Sequence, residues 1–263
     1  MSVRLAAVVL TRNEERHIGP CLDSLAWADE RLVFDSFSTD RTCEIAAERG
    51  ARVLRHPFEN FAAQRNAALE AVEAEWVLFV DADERVTPEL AAEVRRAIAE
   101  GDKAGWWIPR YNYMIGHRMR GGGWYPDHQL RLLRRGRARY DPAHPVHEIV
   151  RLDGEAGYLQ HPFIHYNYDT VTQFRQKMSR YTHFEAAILR EQGVRPRPWT
   201  YFTMPLREFW RRFVRLQGYR DHLYGLLFCG LMAWYTLTTY RRLRRLMRGQ
   251  EEMETVWHNK ASS

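Results

Sequence analysis

A chain of 263 residues that is 45% hydrophobic and 27% charged can bury a core of its own, and that balance excludes a disordered polymer. Three cysteines, Cys21, Cys43 and Cys229, are odd in number and far apart, which argues against a disulfide framework and against a cysteine-based zinc site. The net charge of +6 is unevenly spread: ten arginines and only two acids, Glu208 and Asp221, lie between Arg207 and Arg248. Such a patch suits an anionic membrane surface or nucleic acid.

The first apolar run, residues 5–10, is too short for a secretion signal and reads as the first strand of a cytoplasmic protein. Residues 32–34, 52–54 and 76–80 read as three more strands. Between them Ile18, Leu22 and Leu25 fall at helical spacing, Ile45 and Ala46 follow a Thr39-Asp40 cap, and Phe61, Ala68, Leu69 and Val72 mark a third helix. Thr87-Pro88 caps and starts a fourth, running to about residue 100. Strands alternating with helices predict an α/β fold with a doubly wound, mostly parallel sheet, whose ligands bind beyond the carboxyl ends of the strands.

Residues 106–165 change character, with many aromatics, three glycines at Gly121 to Gly123 and a strand-like segment at 129–133. They predict a partly antiparallel region lying over the sheet edge. A helical pattern at 170–192 ends before Pro196 and Pro198. The expected organisation is a ligand-binding α/β half at 1–115, a half supplying a second substrate's pocket at 116–198, amphipathic and apolar helices at 199–250, and a disordered tail at 251–263.

The polar loops carry the chemistry. Thr11-Arg12-Asn13-Glu14-Glu15 follows the first strand, and Asp35-Ser36-Phe37-Ser38-Thr39-Asp40-Arg41-Thr42 follows the second. Gln64-Arg65-Asn66 lies on the third helix, and Asp81-Ala82-Asp83-Glu84 follows the fourth strand. Two carboxylates two residues apart on an extended segment point the same way and can share one hard cation, which in turn holds a diphosphate. Asp40 alone reads as a helix cap.

These four motifs, in this order, resemble the inverting family 2 glycosyltransferases of GT-A fold. Within them the chain is most similar to short transferases that add a β-linked glucose to heptose of the lipopolysaccharide inner core, over roughly residues 1–245. The resemblance implies that Thr11, Asn13, Glu14 and Asp35 contact the nucleoside, and that Arg65 positions uridine or diphosphate. Asp81 and Asp83 would flank the sugar and a Mg²⁺ or Mn²⁺ ion, with Asp83 the first choice of metal ligand and Asp81 an alternative contact to ribose or sugar.

Inverting transfer also needs a general base beside the acceptor hydroxyl. Glu148, in His144-Pro145-Val146-His147-Glu148, and Asp127 are the candidates, and the resemblance favours Glu148. Asp127, Gln129 and Arg131 are equally suited to shaping the donor pocket. His144, His147, His161 and His165 lack standard zinc spacing and read as pocket or core residues, with His147 kept as functional beside Glu148.

After Pro205 the residues Leu206, Phe209, Trp210 and Phe213 alternate at helical spacing with Arg207, Arg211, Arg212 and Arg215, an amphipathic pattern with a cationic face. Residues 223–240 then carry no charge, and as a helix would reach about 27 Å, just short of a hydrocarbon core of about 30 Å. Arginines on both flanks argue for a monotopic or re-entrant arrangement rather than a simple span.

The leading reading is thus an enzyme moving a hexose, expected to be glucose, from a UDP-sugar to a lipid-linked saccharide on the inner face of the cytoplasmic membrane. A polyprenyl-phosphate or other saccharide acceptor is the alternative. A non-catalytic membrane-surface or nucleic-acid module is the reading from another class, and the nucleic-acid version lacks any reading motif, so no nucleic acid is expected.

Overall fold

A computed structural model describes residues 4–141 and 149–249. Glu148, His144 and His147 lie outside the described residues, as does the tail expected at 251–263. The chain forms two compact units, the first from residues up to Tyr111 together with Asp127–His165, the second from Asn112–Pro126 together with the chain from Tyr166 onward.

The first unit opens with β1 (Leu5–Thr11), α1 (Ile18–Asp23), β2 (Glu30–Asp35), α2 (Thr42–Glu48), β3 (Arg52–Arg55), α3 (Phe61–Ala71) and β4 (Trp76–Asp81). Gly50, at φ +70°, supplies the left-handed turn between α2 and β3 that a side chain would strain. A two-residue β5 (Glu84–Arg85) precedes α4 (Pro88–Glu100), which Thr87 caps by accepting from the Leu90 amide. Then come β6 (Gly105–Ile108), β7 (Arg110–Met114) and β8 (His117–Arg118), followed by β9 (Gln129–Arg134), β10 (Ala138–Tyr140), β11 (Val150–Leu152), β12 (Ala156–Tyr158) and β13 (Phe163–Tyr168).

The main sheet has the order β12-β6-β9-β4-β1-β2-β3. Strands β1 to β4 are parallel where they pair, as the alternating pattern predicts. The other half differs from expectation. β9 runs antiparallel to both β4 and β6, so residues 105–108 and 129–134 extend the sheet rather than lie over its edge. The reason is burial: Leu132 and Leu133 are fully buried, one in each of the cores on the two sides of the sheet. The result is a mixed sheet in an α/β fold.

β1 and β4 are buried along almost their whole length, which explains their unbroken apolar runs. Leu5, Ala7, Val9, Leu78 and Val80 pack with α1 and α4 on one face, and Ala6, Val8, Val77 and Phe79 pack with α3 on the other. The alternation brings Thr11, Asp35 and Asp81 to one edge, since Thr11 pairs with Asp35 and Leu10 with Asp81.

In the second unit α5 (Val171–Glu191) begins with a capping box between Thr170 and Gln173. α6 (Thr200–Trp210) runs through Pro205, where the sequence suggested a helix starting after that proline, and passes into a π-helical segment, Arg211–Arg215. As the sixth residue of α6, Pro205 has no N–H to offer the Tyr201 carbonyl, so the helix runs through it with that one bond missing. After a short 3-10 turn, α7 (His222–Met247) buries Gly225, Phe228, Cys229, Tyr235, Thr239, Leu243 and Leu246 along one stripe. Among the described residues no helix is long and apolar enough to cross a membrane. Asp221, fully buried, accepts from the amides of Arg120 and Gly121, both at 2.8 Å, and from His117 Nε2 at 3.1 Å, so it ties the glycine-rich segment to the start of α7.

Glu93 of α4 offers a check on the packing of the first unit. Its carboxylate accepts from the amides of Gln160 and His161 at 2.8 and 2.9 Å and lies 2.9 Å from His161 Nδ1. Burial pushes its pKa up, but these bonds outweigh burial and hold it below the usual value. A lowered folded-state pKa means the stabilisation is present above the unfolded pKa and disappears as pH falls through the folded one. Glu93→Gln should therefore cost about 1–3 kcal/mol in urea unfolding at neutral pH, a difference that shrinks towards zero as the pH is lowered below the carboxyl range.

Candidate active site

The site is built at the carboxyl ends of β1, β2 and β4, all in the first unit. Asp35 is fully buried, accepting from Thr11 Oγ1 at 2.8 Å, from the Ser38 amide at 2.8 Å, and from Ser38 Oγ. The two loops are laced together further out. Asn13 donates its amide to Ser38 Oγ and accepts from the Thr39 amide, each at 2.8 Å, and Glu14 donates its amide to Thr42 Oγ1. Asp40 accepts from the Thr42 amide at 3.0 Å and the Glu15 amide at 3.1 Å, so besides serving the start of α2 it bonds the first loop. Of the four residues expected at the nucleoside, Thr11 and Asp35 are therefore buried supports, while Asn13 is exposed and Glu14 half-buried.

Asn13 and Phe37 both have positive φ, 58° and 56°. For a ring-bearing residue this costs about 1–2 kcal/mol, and the Asp35 bonds to Ser38 hold the turn closed around it. The sequence gives no sign of this strain.

Asp81 sits between two guanidiniums: Arg65 Nη2 lies 3.3 Å from Oδ1 and Arg131 Nη2 lies 2.6 Å from Oδ2. Burial raises its pKa, yet Arg131 and Arg65 overcome burial and hold the carboxyl well below the usual range. Arg65 comes from α3, where its guanidinium packs over the rings of Phe79 and Tyr140 at 5.0 and 5.6 Å. Asp81 was expected as a second metal ligand or as a contact to ribose or the donor sugar, and the structure shows which side chains it meets. Its oxygens instead hold two arginines in place, because both guanidiniums are buried and need an anion.

Glu84 and Arg110 carry no role in the sequence reading, yet the site depends on them. Glu84 is fully buried, accepting from the Asp81 amide at 2.9 Å and from Arg110 Nη1 at 3.2 Å. Burial first, and then the charge of Asp81, push its pKa up. Arg110 also grips Asp127, with Nε at 3.0 Å and Nη2 at 2.6 Å from Oδ2, and Gln129 Nε2 donates to Asp127 Oδ1 at 2.8 Å. Both oxygens of the second candidate base are thus engaged. The adjacency of Glu84 to the acidic pair was the available signal. Arg110 had none, because its partners lie 17 and 26 residues away.

Asp83 points elsewhere. Its Oδ2 lies 3.3 Å from Nε2 of His165, which is 8% exposed and faces inward on β13 with Phe163. β13 reaches the site by pairing antiparallel with β5, with His165 opposite Glu84. Among the described residues no group of three or more His, Cys, Asp or Glu forms a cation site. An oxygen donor beside an imidazole nitrogen nonetheless fits two positions of an octahedral Mn²⁺ or Mg²⁺ shell, leaving the others to water or diphosphate oxygens. His161 instead serves Glu93.

A carboxylate–imidazole pair and two anchored guanidiniums thus gather at the carboxyl edge of the sheet, where open α/β folds bind ligands. The family model "Glycosyl transferase family 2" matches residues 6–166. The lipopolysaccharide core biosynthesis glycosyltransferase LpsC of Rhizobium meliloti (strain 1021) is 30% identical over 251 residues, 91% of each chain. The chain belongs to glycosyl transferase family 2 and is a glycosyltransferase. An uncharacterized glycosyltransferase of Rickettsia bellii (strain RML369-C) is 31% identical over 119 residues, 45% of this chain and 40% of that protein. Among solved structures, S. aureus TarS 1-349 in complex with UDP superposes with a TM-score of 0.47 at 16% identity, covering 94% of this chain and 92% of that one.

The geometry ranks the two partners of Arg110. Glu84→Ala removes the acceptor of a buried guanidinium and of the Asp81 amide, and should cost about 3–5 kcal/mol in urea unfolding. Asp127→Ala leaves Arg110 with Glu84 and should cost clearly less. The reverse order would show that Glu84 is not the buried anchor.

Proposed function

We propose that this protein is a metal-dependent, inverting hexosyltransferase that moves glucose from a UDP-sugar to a lipid-linked saccharide, heptose of the lipopolysaccharide inner core. The observation that carries the reading is the pairing of Asp83 with His165 beside the arginine-held Asp81, within a family 2 chain. The relative named for lipopolysaccharide core biosynthesis, matched over 91% of both chains, supports the acceptor class.

Asp83 and His165 would hold Mg²⁺ or Mn²⁺, which when bound offsets charge on the leaving diphosphate. Arg65 and Arg131 add fixed positive charge at the same strand end, pre-oriented by Asp81 so that no reorganisation accompanies bond cleavage. Thr11, Asn13, Glu14 and Asp35 form the nucleoside end. Glu148 takes the proton of the acceptor hydroxyl as its oxygen attacks the anomeric carbon, and the bond to the diphosphate oxygen breaks with its electron pair leaving on UDP. The engagement of both Asp127 oxygens supports Glu148 over Asp127 as this base.

We further propose a peripheral, monotopic seat on the cytoplasmic membrane face. On α6 and its N-cap the exposed residues Trp199, Phe202, Leu206 and Trp210 follow helical spacing, and on α7 so do Leu223, Leu226, Leu227 and Trp234. Of the four residues expected at lipid, Trp210 is 58% exposed and Arg215 is exposed. Arg211 pairs with Glu208, and Arg212 pairs with Glu208 and donates to the Gly122 carbonyl, so Trp210 and Arg215 are the stronger lipid contacts.

Release of UDP from a panel of UDP-sugars, with lipid extract and with or without Mn²⁺, tests the reaction. Asp83→Ala and His165→Ala should each lower kcat/KM at least about tenfold and weaken Mn²⁺ binding, while Glu148→Gln abolishes transfer but keeps UDP-sugar binding. Full turnover in excess chelator would sink the metal assignment, and turnover in Glu148→Gln would move the base to Asp127. Phe202→Ser with Trp210→Ser should abolish co-sedimentation with anionic vesicles without changing UDP binding. Unchanged co-sedimentation excludes this face.

A further inference from the structure

Beyond the charged cluster, the same sheet edge carries a group of aromatic rings that neither core uses. Tyr158, at the end of β12, is 63% exposed, and its ring lies nearly parallel to that of Trp107, with 6.2 Å between centroids and 15° between planes. His128 meets Tyr158 edge-on, at 5.5 Å and 84°. Trp106 packs against the core, whereas its neighbour Trp107 stacks on Tyr158 instead.

Strand register places these rings at the ligand edge. β12 is parallel to β6 with Tyr158 opposite Trp107, and β6 is antiparallel to β9 with Ile108 opposite Gln129. β9 is in turn antiparallel to β4. The ends of β6 and β12 therefore lie at the same edge as Asp81. Three strand spacings separate β12 from β4, about 14 Å, and two separate β6 from it, about 10 Å. His128 also follows directly on Asp127, the partner of Arg110.

An exposed ring with a second ring stacked behind it is a preorganised, low-entropy flat surface. A pyranose is amphipathic in a matching way, with an apolar C–H face that packs on an aromatic ring and hydroxyls directed outward. We infer that Tyr158, supported by Trp107 and His128, is an acceptor subsite that stacks a sugar unit of the acceptor saccharide, one or more units removed from the reacting hydroxyl. This rests on the glycosyl-transfer reading above and adds to it a requirement for an extended saccharide. The partner is a pyranose face rather than a phosphate, because Tyr158 and Trp107 present flat apolar rings and no fixed charge.

The probe is core oligosaccharide freed of lipid by mild acid, prepared from lipopolysaccharide of a strain lacking this enzyme. With this acceptor Tyr158→Ala should raise the acceptor KM about tenfold while leaving kcat and the KM for the UDP-sugar within about twofold. Tyr158→Phe should behave as the parent, and Trp107→Ala, checked by thermal melting, should follow Tyr158→Ala. Binding is also read directly by tryptophan fluorescence, using the core oligosaccharide and a panel of neutral oligosaccharides. If acceptor KM and fluorescence titrations are the same in parent and Tyr158→Ala, the subsite is overturned. If saccharide binding is present in the parent and lost in Tyr158→Ala but no transfer to the oligosaccharide occurs, the subsite stands and the acceptor reading falls.

Discussion

Charge buried at the end of β4 is the constraint on which the rest of the first unit depends. A guanidinium or carboxylate removed from water is tolerated only when an opposite charge and hydrogen bonds replace the lost hydration. Arg65, Arg131 and Glu84 are almost fully buried, so each recruits a partner from a different element: α3 and β9 meet at Asp81, and β5 meets Arg110 of β7 at Glu84. His165 then joins Asp83 from β13. Five separate stretches of chain are held in register by one strand end.

The outer loops obey the same logic with weaker bonds. Backbone amides of Asn13, Glu14 and Thr39 are satisfied by side chains of the opposite loop, and that of Ser38 by Asp35 at the end of its own strand, which leaves both loops ordered without regular secondary structure. Two residues in left-handed conformation are retained there, a local cost accepted where the buried Asp35 network over-determines the turn. In the second unit Asp221 plays a comparable part, joining the Gly121 segment to α7 through backbone donors.

How far the sequence could be read depended on the range of the interaction. The four parallel strands, the Thr87 cap and the Thr170 helix start followed from hydrophobic period and capping chemistry, which act within a few residues. The Asp81-Ala82-Asp83 segment was legible as a site because an apolar strand leads into it. Its division of labour was not: Asp81 belongs to the arginines and Asp83 to a histidine 82 positions on, as the pairing distances show. The antiparallel insertion of β9 escaped because a short apolar run looks the same whether it joins a sheet or covers one.

Local patterning was thus enough to specify an α/β chain, the identity of its four parallel strands, the polar loops at their carboxyl ends and an arginine-rich amphipathic end. What only folding could decide were the partners of Glu84, Arg110 and His165, the gathering of Trp107, His128 and Tyr158, and the burial of Arg212 on Trp124 rather than its exposure. The physical reason is that side-chain period reports on one face of one element, whereas buried charges and rings are satisfied by whatever strand register brings alongside, and register is set by contacts tens of residues apart.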